Sequence, residues 1–526
     1  MKVLVSDKLG DAGVKLFEEA QGIEVDVNTG LAPEELKKII GNYDALVIRS
    51  ATKVTEEILG AATNLKVVGR AGIGLDNVDI PAASKRGVVV MNTPGGNVVT
   101  TAEHAISMML SLTRNIPKGT ATLKAGQWDK KLLQGKEIFN KTLGVIGFGN
   151  IGSIVADRAR GLRMNVIVAD PHITPERIEK AGFEAVSLDE LYERSDYVTV
   201  HVPKLKETTG LLNKAVFDKM KKGVMIINCA RGGIVDEADL YDAIKEGKVA
   251  GAALDVFATE PPGIIPLFEL DNVICTPHLG ASTAEAQTNV AVAVAEQIIA
   301  YLQTGTVINA VNAPSVTGDL LEKLKPLLTL GDRMGCLQAQ LAEGPVKAIS
   351  IEYKGDFRGM DLSPVTTAIL KGFLTPALKD DVNFVNAGIL AQERGVSVTE
   401  TTQADSADFN SLIRVIAKSE TSTHTVSGTI YGKAEPKIVR IDNFRVEMVP
   451  EGHVLLIHNI DKPGAIGSVG TTLGEAGVNI ARMQVGQEVD GNRNFIVMET
   501  ETETPDNVVQ KLRELPLVNS VITVEL

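Results

Sequence analysis

The stretch Leu143–Gly152, LGVIGFGNIG, decides how this chain reads. A short apolar run enters Gly147-x-Gly149-x-x-Gly152 and continues as a helical pattern, GNIGSIVADRARGL. The next apolar run, NVIVAD, ends on Asp170, 18 residues beyond Gly152. Strand, glycine turn, helix, second strand and terminal acid is the order of a dinucleotide-binding unit. Gly147 suits the tight turn, Gly149 a close backbone approach to a pyrophosphate, and Gly152 close helix–strand packing. Unpaired amides at the helix start favour phosphate. Asp170 would accept hydrogen bonds from ribose hydroxyls and repel a 2′-phosphate. Pro171 and His172 follow it, not an arginine, so the pattern predicts NAD over NADP.

The turn comes late in the chain, and the residues around it explain why. Residues 1–94 alternate strand and helix signals. MKVLVSD, IEVDVNT, YDALVIRS and LKVVGRAG read as strands of a parallel sheet buried on both faces, with AGVKLFEEA and PEELKKII as helices between them. Residues 100–125 read as one long helix capped by Thr100 or Thr101. LGVIGFG, NVIVAD, YVTVHVP, VMIINCA and AGAALDV follow as a second set of strands. A further long helix begins near Ser282/Thr283, with Glu285 as capping partner, and can carry the chain back to the first lobe. The expected architecture is α/β: a Rossmann-type NAD domain, residues 98–282, inserted in a flavodoxin-like substrate domain, residues 1–97 and 283–312. Such a body has a cleft between its lobes, a favoured place for ligands.

After residue 310 the texture changes. Residues 315–450 combine a helix, LEKLKPLLTLGDRMGCLQAQL, with strands such as VKAISIEYKG and THTVSGTIYG, an α+β intervening domain. Residues 452–526 read β-α-β-β-α-β, a ferredoxin-like unit with Asp490-Gly491 as a hairpin turn.

Composition bounds the function. A chain of 526 residues is too long for one core, and 44% hydrophobic with 23% charged residues is ordinary for a globular protein. Net charge is −13 without a long basic cluster, and aromatics make up only 4%, so nucleic acid is not an expected partner. Cys229, Cys275 and Cys336 lack C-x-x-C spacing, which indicates neither zinc site nor disulfide framework and suits a reducing compartment. The first residues run straight into a strand pattern rather than a leader, and no window offers about 20 apolar residues. A cytoplasmic chain without a membrane partner is expected.

Hydride transfer from a hydroxyl needs a proton acceptor and a cation for the substrate's anionic group. In an open parallel sheet the C-terminal strand ends face the ligand crevice. MIINCARGG puts Arg231 after one strand, AALDVFATEPP puts Asp255 and Glu260 after the next, and VICTPHLGAST puts His278 after a third. Together they form a catalytic constellation that none of them makes alone. In the first lobe, VIRSAT and VGRAGIG place Arg49, Ser50 and Arg70 at strand ends, and PGGN adds Asn97. If Arg231 meets one anion, Arg49 and Arg70 can meet a second, which favours a phosphorylated substrate. Lys130 and Lys131, after Trp128, are candidates for reaching a neighbouring subunit's site.

These motifs resemble the signature set of the NAD-dependent D-2-hydroxyacid dehydrogenases: NCARGG, the Glu260 loop, PHLGAS, GFGNIG and the discontinuous first domain. The C-terminal DKPG (461–464) and GVNI (477–480) resemble an ACT domain, and the whole chain is similar to the long form of the D-3-phosphoglycerate dehydrogenase family. The resemblance implies that His278 is the general acid/base, that Glu260 orients it and stabilises the imidazolium, and that Arg231 binds the substrate carboxylate. It implies that Asp255 hydrogen-bonds the nicotinamide carboxamide. Further cofactor contacts map to Ile73, Asn150, Ile151, Val202, Cys229, Ala230, Gly280 and Ala281, with only backbone contacts expected from apolar Ile73 and Val202. It implies D-3-phosphoglycerate as substrate and a homo-oligomer, expected to be a tetramer. L-serine is the implied effector, bound by Asn459, Asp461 and Asn479 at a dimer interface. Lys433, Lys437, Arg440 and Arg445 read as a solvated basic face or an anion site. Two other readings stay open: a dehydrogenase of an unphosphorylated 2-hydroxy acid, and a non-catalytic sensor of NAD and an amino acid.

Overall fold

The computed structural model describes every residue except 129, 314–318, 358, 406–408, 433 and 488–492, and leaves out the side chains of 319–323, 380, 487 and 493. The first sheet contains β1 (Lys2–Val5), β2 (Glu24–Val27), β3 (Ala45–Ile48), β4 (Val67–Arg70) and β5 (Val89–Asn92) in the order β2-β1-β3-β4-β5, all parallel. This is the flavodoxin-like order. The strands β1, β3 and β4 are buried on both faces, as Val- and Ile-rich parallel strands require. The fifth strand, Val-Val-Met-Asn, has the same character but is not among the strands expected from the sequence, because it follows a short helix (Ile80–Lys85) with little apolar periodicity.

The second sheet has seven strands: β6 (Thr142–Ile146), β7 (Asn165–Ala169), β8 (Glu184–Ala185), β9 (Tyr197–Val200), β10 (Val224–Asn228), β11 (Val249–Leu254) and β12 (Val273–Cys275). Their order is β12-β11-β10-β9-β6-β7-β8, again parallel throughout. Counted from β6 this is 3-2-1-4-5-6 with one strand added, the Rossmann order. The topological switch point lies between β6 and β9, beside the glycine turn.

Residues 100–125 do not form one helix. The chain makes two, Val98–Thr113 and Ile116–Lys124, broken at Asn115, whose φ is 53°. Apolar spacing runs on through the break, but Pro117 favours a fresh helix start, and asparagine tolerates the left-handed conformation. Neither Thr100 nor Thr101 caps the first helix; Asn97 is the N-cap residue, and the Thr101 hydroxyl donates to its carbonyl oxygen. The helix Ala284–Thr304 is capped by Thr283, whose hydroxyl accepts the Ala286 amide. It returns to the first sheet, where Val294 and Ile298 crowd Gly69 so closely that a Cβ there would have no room.

A six-stranded sheet follows, in chain order Val346–Gly355, Ser397–Gln403, Ser411–Ser419, Thr423–Tyr431, Glu435–Ile441 and Phe444–Met448. The first two strands pair in parallel and the others antiparallel. The helices Asp319–Leu341 and Ser363–Leu378 pack against it and against each other, at Gly335 and Gly372, where added Cβ atoms would overlap carbonyl oxygens of the partner helix. The last sheet, His453–Ile460, Ile480–Gln487, Arg493–Thr500 and Val518–Glu525, has the order 4-1-3-2 in its own strand numbering, the ferredoxin-like arrangement. The Asp490-Gly491 turn lies outside the described residues.

The alternation of the last sheet's first strand shows how the two C-terminal units join. Leu455 and Ile457 pack under the unit's own helices with Val469 and Leu473. Val454 and Leu456 face the other way, into a core shared with Leu330, Ile349 and Phe444 of the preceding unit. Phe444 stacks on Phe495 with centroids 5.1 Å apart. The ferredoxin-like sheet is therefore covered on both faces.

Candidate active site

Register brings the chemistry to one edge. Ile146, Ala169, Val200, Asn228, Leu254 and Cys275 are aligned neighbours in the second sheet. Gly147, Asp170, Val202, the Cys229–Arg231 segment, Asp255 and His278 follow these aligned ends, so all leave the sheet on its C-terminal side. In the first sheet Ile48, Arg70 and Asn92 are aligned in the same way, which puts Arg49, Arg70 and the Asn97 segment on one rim.

The glycine turn has the steric signature of a phosphate loop. Gly147 has a φ of 90°, and a Cβ on it would sit 2.6 Å from the His201 carbonyl oxygen. A Cβ on Gly152 would overlap the Gly147 carbonyl oxygen. Around Gly149 there is open space, with nothing within 4 Å of an added Cβ. Gly149 is also the N-cap of the helix Asn150–Gly161 and supplies no side chain to its first amides. The turn is thus filled wherever the fold needs packing and open where a pyrophosphate would approach. The Asp170 carboxylate accepts the Phe148 amide at 2.7 Å and the His172 amide at 2.8 Å, holding it between the turn and the end of β7. Beneath the turn, His201 Nδ1 is buried without a partner while Nε2 lies 2.9 Å from Thr199 Oγ1, and burial pushes this imidazole down to about 4.

His278 Nδ1 lies 2.7 Å from Glu260 Oε2, and Glu260 Oε1 accepts the Phe257 amide at 3.0 Å. The carboxylate can only accept, so Nδ1 carries the hydrogen, and in the neutral ring Nε2 keeps its lone pair. His278 stands at a φ of 52°, with its amide donating to the Asp255 carbonyl oxygen at 2.9 Å. Its side chain is 46% exposed, open to the cleft.

Asp255 is fully buried. Its Oδ1 accepts the Thr276 hydroxyl at 2.6 Å and the Leu279 amide at 2.7 Å, and its Oδ2 accepts the Gly280 amide at 2.8 Å. Burial works against the charge, but hydrogen bonds from His104, Thr276 and Leu279 outweigh it and hold the carboxyl below the usual range. In this arrangement the Asp255 side chain has no exposed surface and is engaged by the loop Thr276–Gly280. Cys229 is buried beside it, and Ala230, Ala281, Ile73 and Val202 are half-buried along the same rim.

Arg231 crosses between the lobes. Its Nε donates to Asp76 at 3.0 Å and its Nη1 to the Ala230 carbonyl oxygen at 2.7 Å. The adjacent Asn228 locks the turn, donating to the Arg231 carbonyl oxygen and accepting the Ala230 amide. Arg70 lies beside it: burial first, then the positive charge of Arg231, depress its guanidinium to about 10, with Arg49 adding to the effect and Asp76 opposing it. Arg70 Nε is buried with no partner, and so is Asn97 Oδ1. Arg49 is anchored through its amide to Asp7 at 2.6 Å, and Asp7 also accepts the Ala51 and Thr52 amides; Ser50 between them is exposed.

Residues 106–280 match the family described as D-isomer specific 2-hydroxyacid dehydrogenase, NAD binding domain; residues 323–442 match the D-3-phosphoglycerate dehydrogenase intervening domain, and residues 453–517 the ACT domain. D-3-phosphoglycerate dehydrogenase of Bacillus subtilis is 43% identical over 526 residues, covering 100% of this chain and 99% of the relative. The chain belongs to the D-3-phosphoglycerate dehydrogenase family. The Synechocystis member is 42% identical, over 100% of this chain and 95% of its own length. Among solved structures, an NAD-dependent formate dehydrogenase from Staphylococcus aureus in complex with NAD is 31% identical, with a TM-score of 0.53 over 58% of this chain and 96% of its own. D-lactate dehydrogenase from Escherichia coli is 29% identical, with a TM-score of 0.53 over 59% of this chain and 100% of its own. Like its family, the chain is an NAD-dependent oxidoreductase.

The expected effector residues are not brought together within one chain. Asn459 pairs in register with Asn494, whereas Ile480, next to Asn479, pairs with Thr500. Six residues of strand separate the two positions, about 20 Å. Asn459 is buried, with Oδ1 unpartnered, while Asp461 and Asn479 are exposed at opposite ends of the sheet. Lys130 and Lys131 are exposed in a short turn of helix, Lys130–Leu133. Lys433 lies outside the described residues; Lys437 pairs with Glu435 at 3.0 Å, and Arg440 stands opposite Arg445. Sequence reasoning does not single out His104, Thr276, Gly74 or Asp76, which all touch the constellation. No described helix is long and apolar enough to cross a membrane.

Proposed function

We propose that this chain oxidises D-3-phosphoglycerate at C2 to 3-phosphohydroxypyruvate, the entry step of L-serine biosynthesis. One observation carries the substrate: three arginines from two lobes, Arg49, Arg70 and Arg231, crowd one rim, and the buried Arg70 Nε has no partner. Like charges held together in low dielectric call for an anion, and two separated anionic groups suit a phosphorylated hydroxy acid better than lactate or glycerate.

Bound NAD would supply the acceptor for the C2 hydride. His278 Nε2 removes the hydroxyl proton, and Glu260, already on Nδ1, stabilises the imidazolium that results. Arg231 binds the carboxylate and the C2 oxygen, exchanging its contact with Asp76 for the substrate. Arg49, Arg70 and Ser50 take the phosphate, and Asn97 Oδ1 accepts from a substrate hydroxyl. The turn residues Gly147, Gly149, Asn150, Ile151 and Gly152 would hold the pyrophosphate, and Asp170 the adenosine ribose. Residues 1–97 with 283–312 form the substrate domain and 98–282 the cofactor domain, followed by regulatory units at 315–450 and 452–526.

L-serine is the proposed feedback inhibitor. The separation of Asn459 and Asp461 from Asn479 favours a site completed by a second copy, each supplying one half. A homo-oligomer, taken to be a tetramer, is further supported by exposed Ile116, Leu123, Trp128 and Leu132 on the cofactor domain. The cytoplasm is the proposed compartment. A substrate panel read by NADH absorbance tests the activity: D-3-phosphoglycerate should exceed unphosphorylated 2-hydroxy acids in kcat/KM by at least about 10²-fold. Arg49→Ala should erase most of that preference. Equal turnover of D-glycerate and lactate by the unaltered protein would replace this reading with a general 2-hydroxyacid dehydrogenase.

A further inference from the structure

Behind the loop that carries His278 stands a second histidine. His104 lies on the helix Val98–Thr113, 172 residues upstream of Thr276. Its Nε2 is 3.1 Å from Thr276 Oγ1 and 3.2 Å from Asp255 Oδ1. The proton of this contact can be placed. A carboxylate offers none, and Thr276 spends its only hydroxyl proton on Asp255 at 2.6 Å. His104 Nε2 must therefore carry a hydrogen, shared between the carboxylate and the threonine oxygen.

We propose that His104 is a positioning residue for His278, acting through Asp255 and Thr276. Asp255 holds three points of the loop at once: the Thr276 hydroxyl and the amides of Leu279 and Gly280. Its backbone carbonyl holds a fourth, the His278 amide. Between these points His278 adopts a left-handed backbone, which a non-glycine residue keeps only when its surroundings over-determine it. A fully buried carboxylate keeps its charge only while enough donors face it. His104 is the donor that comes from outside the loop, so it ties the loop to the helix at the lobe boundary. Without it, the Asp255 carboxylate loses its hydrogen bond from that helix, and the imidazole loses its fixed aim at Glu260 and the cleft. Asp255 also faces Cys229, whose thiol burial keeps neutral and which offers no second cation.

This inference rests on the proposed activity, and its test separates the two. Turnover of D-3-phosphoglycerate by the unaltered protein tests the activity alone. The positioning role is read from His104→Leu, His104→Gln and Thr276→Val in the full-length chain. Backbone hydrogen exchange of the 276–281 segment, which needs no substrate, should quicken at least about tenfold in His104→Leu and Thr276→Val. It should stay near the original in His104→Gln, which keeps a donor at the same reach. In steady state, kcat should fall about 10- to 100-fold in His104→Leu, with KM for both substrates within about threefold, and His104→Gln should recover most of it. Combining His104→Leu with Thr276→Val should add little, since both act on one carboxylate. Unchanged exchange and kcat in His104→Leu would overturn the proposal, as would a glutamine variant no better than leucine. If His104→Leu does not fold, exchange and kcat in Thr276→Val decide the question in its place.

Discussion

The guanidinium of Arg231 rests on Gly74, a residue of the opposite lobe, so closely that a Cβ at that glycine would overlap Nη2. Gly74 therefore keeps a lane open across the cleft for Arg231, the cation proposed to meet the substrate carboxylate. Gly74→Ala should push Arg231 aside and lower kcat/KM for D-3-phosphoglycerate about 10²-fold, a misplacement effect. NADH affinity, followed by fluorescence, should change less than about threefold, because the glycine turn lies on the other side of the sheet's switch point. Equal loss of NADH binding would count against this account.

The Glu260–His278 pair should behave as one unit. Glu260→Gln keeps the size of the side chain but removes the charge that sits on His278 Nδ1 and is proposed to stabilise the imidazolium. We expect kcat to fall about 10²-fold, and His278→Ala to fall further, to about 10³- to 10⁴-fold. The double variant should be no slower than His278→Ala alone. NADH binding should survive in all three. Additive losses in stopped-flow measurements would mean that Glu260 acts elsewhere.

Two glycines of the turn should fail in different ways. Gly152→Ala forces a Cβ into the Gly147 carbonyl and should lower Tm as well as cofactor affinity. Gly149→Ala meets nothing within 4 Å, so the fold should tolerate it with little change in Tm. The added methyl would then occupy the approach of the pyrophosphate, weakening NADH at least about tenfold. Calorimetry beside fluorescence titration separates these outcomes.

Acidification should loosen the cofactor domain through His201. Its folded value, about 4, lies below the ordinary 6.5, so the unfolded chain binds the extra proton first. Stability from this group is complete above the ordinary value and is lost as pH falls toward the folded one. A protonated ring would bury a second N–H at Nδ1, which has no partner. Tm should drop between about pH 6.5 and about pH 4, and His201→Gln should flatten that part of the curve. An identical pH profile in the variant would remove His201 from the explanation.

The parallel strands, the glycine turn and the strand-end residues are legible because local signals carry them: Val- and Ile-rich runs, fixed glycine spacing and a polar residue just past each run. The break at Asn115 is not, since apolar spacing continues across it and only the backbone conformation changes. Asp76 and His104 are hidden for another reason. Their partners stand 155 and 172 residues away, and a carboxylate or imidazole on an ordinary helix or loop has no local mark of that distant pairing. The buried state of Asp255 is equally unreadable, because its donors come from the loop after the next strand and from a helix that precedes the whole second sheet. Asn459 and Asn479 sit close in sequence yet at opposite ends of a sheet, a separation that only strand register reveals.

Two names cover the last two-fifths of the chain, but Val454, Leu456, Phe495 and Val497 share one core with Leu330, Ile349 and Phe444. A stop codon placed near residue 450 would not release a tidy dehydrogenase lacking its sensor. It would strip the cover from a six-stranded sheet and leave a greasy face in water. Engineers wishing to graft or delete the regulatory half should cut before the helix Asp319–Leu341, so that both units travel together.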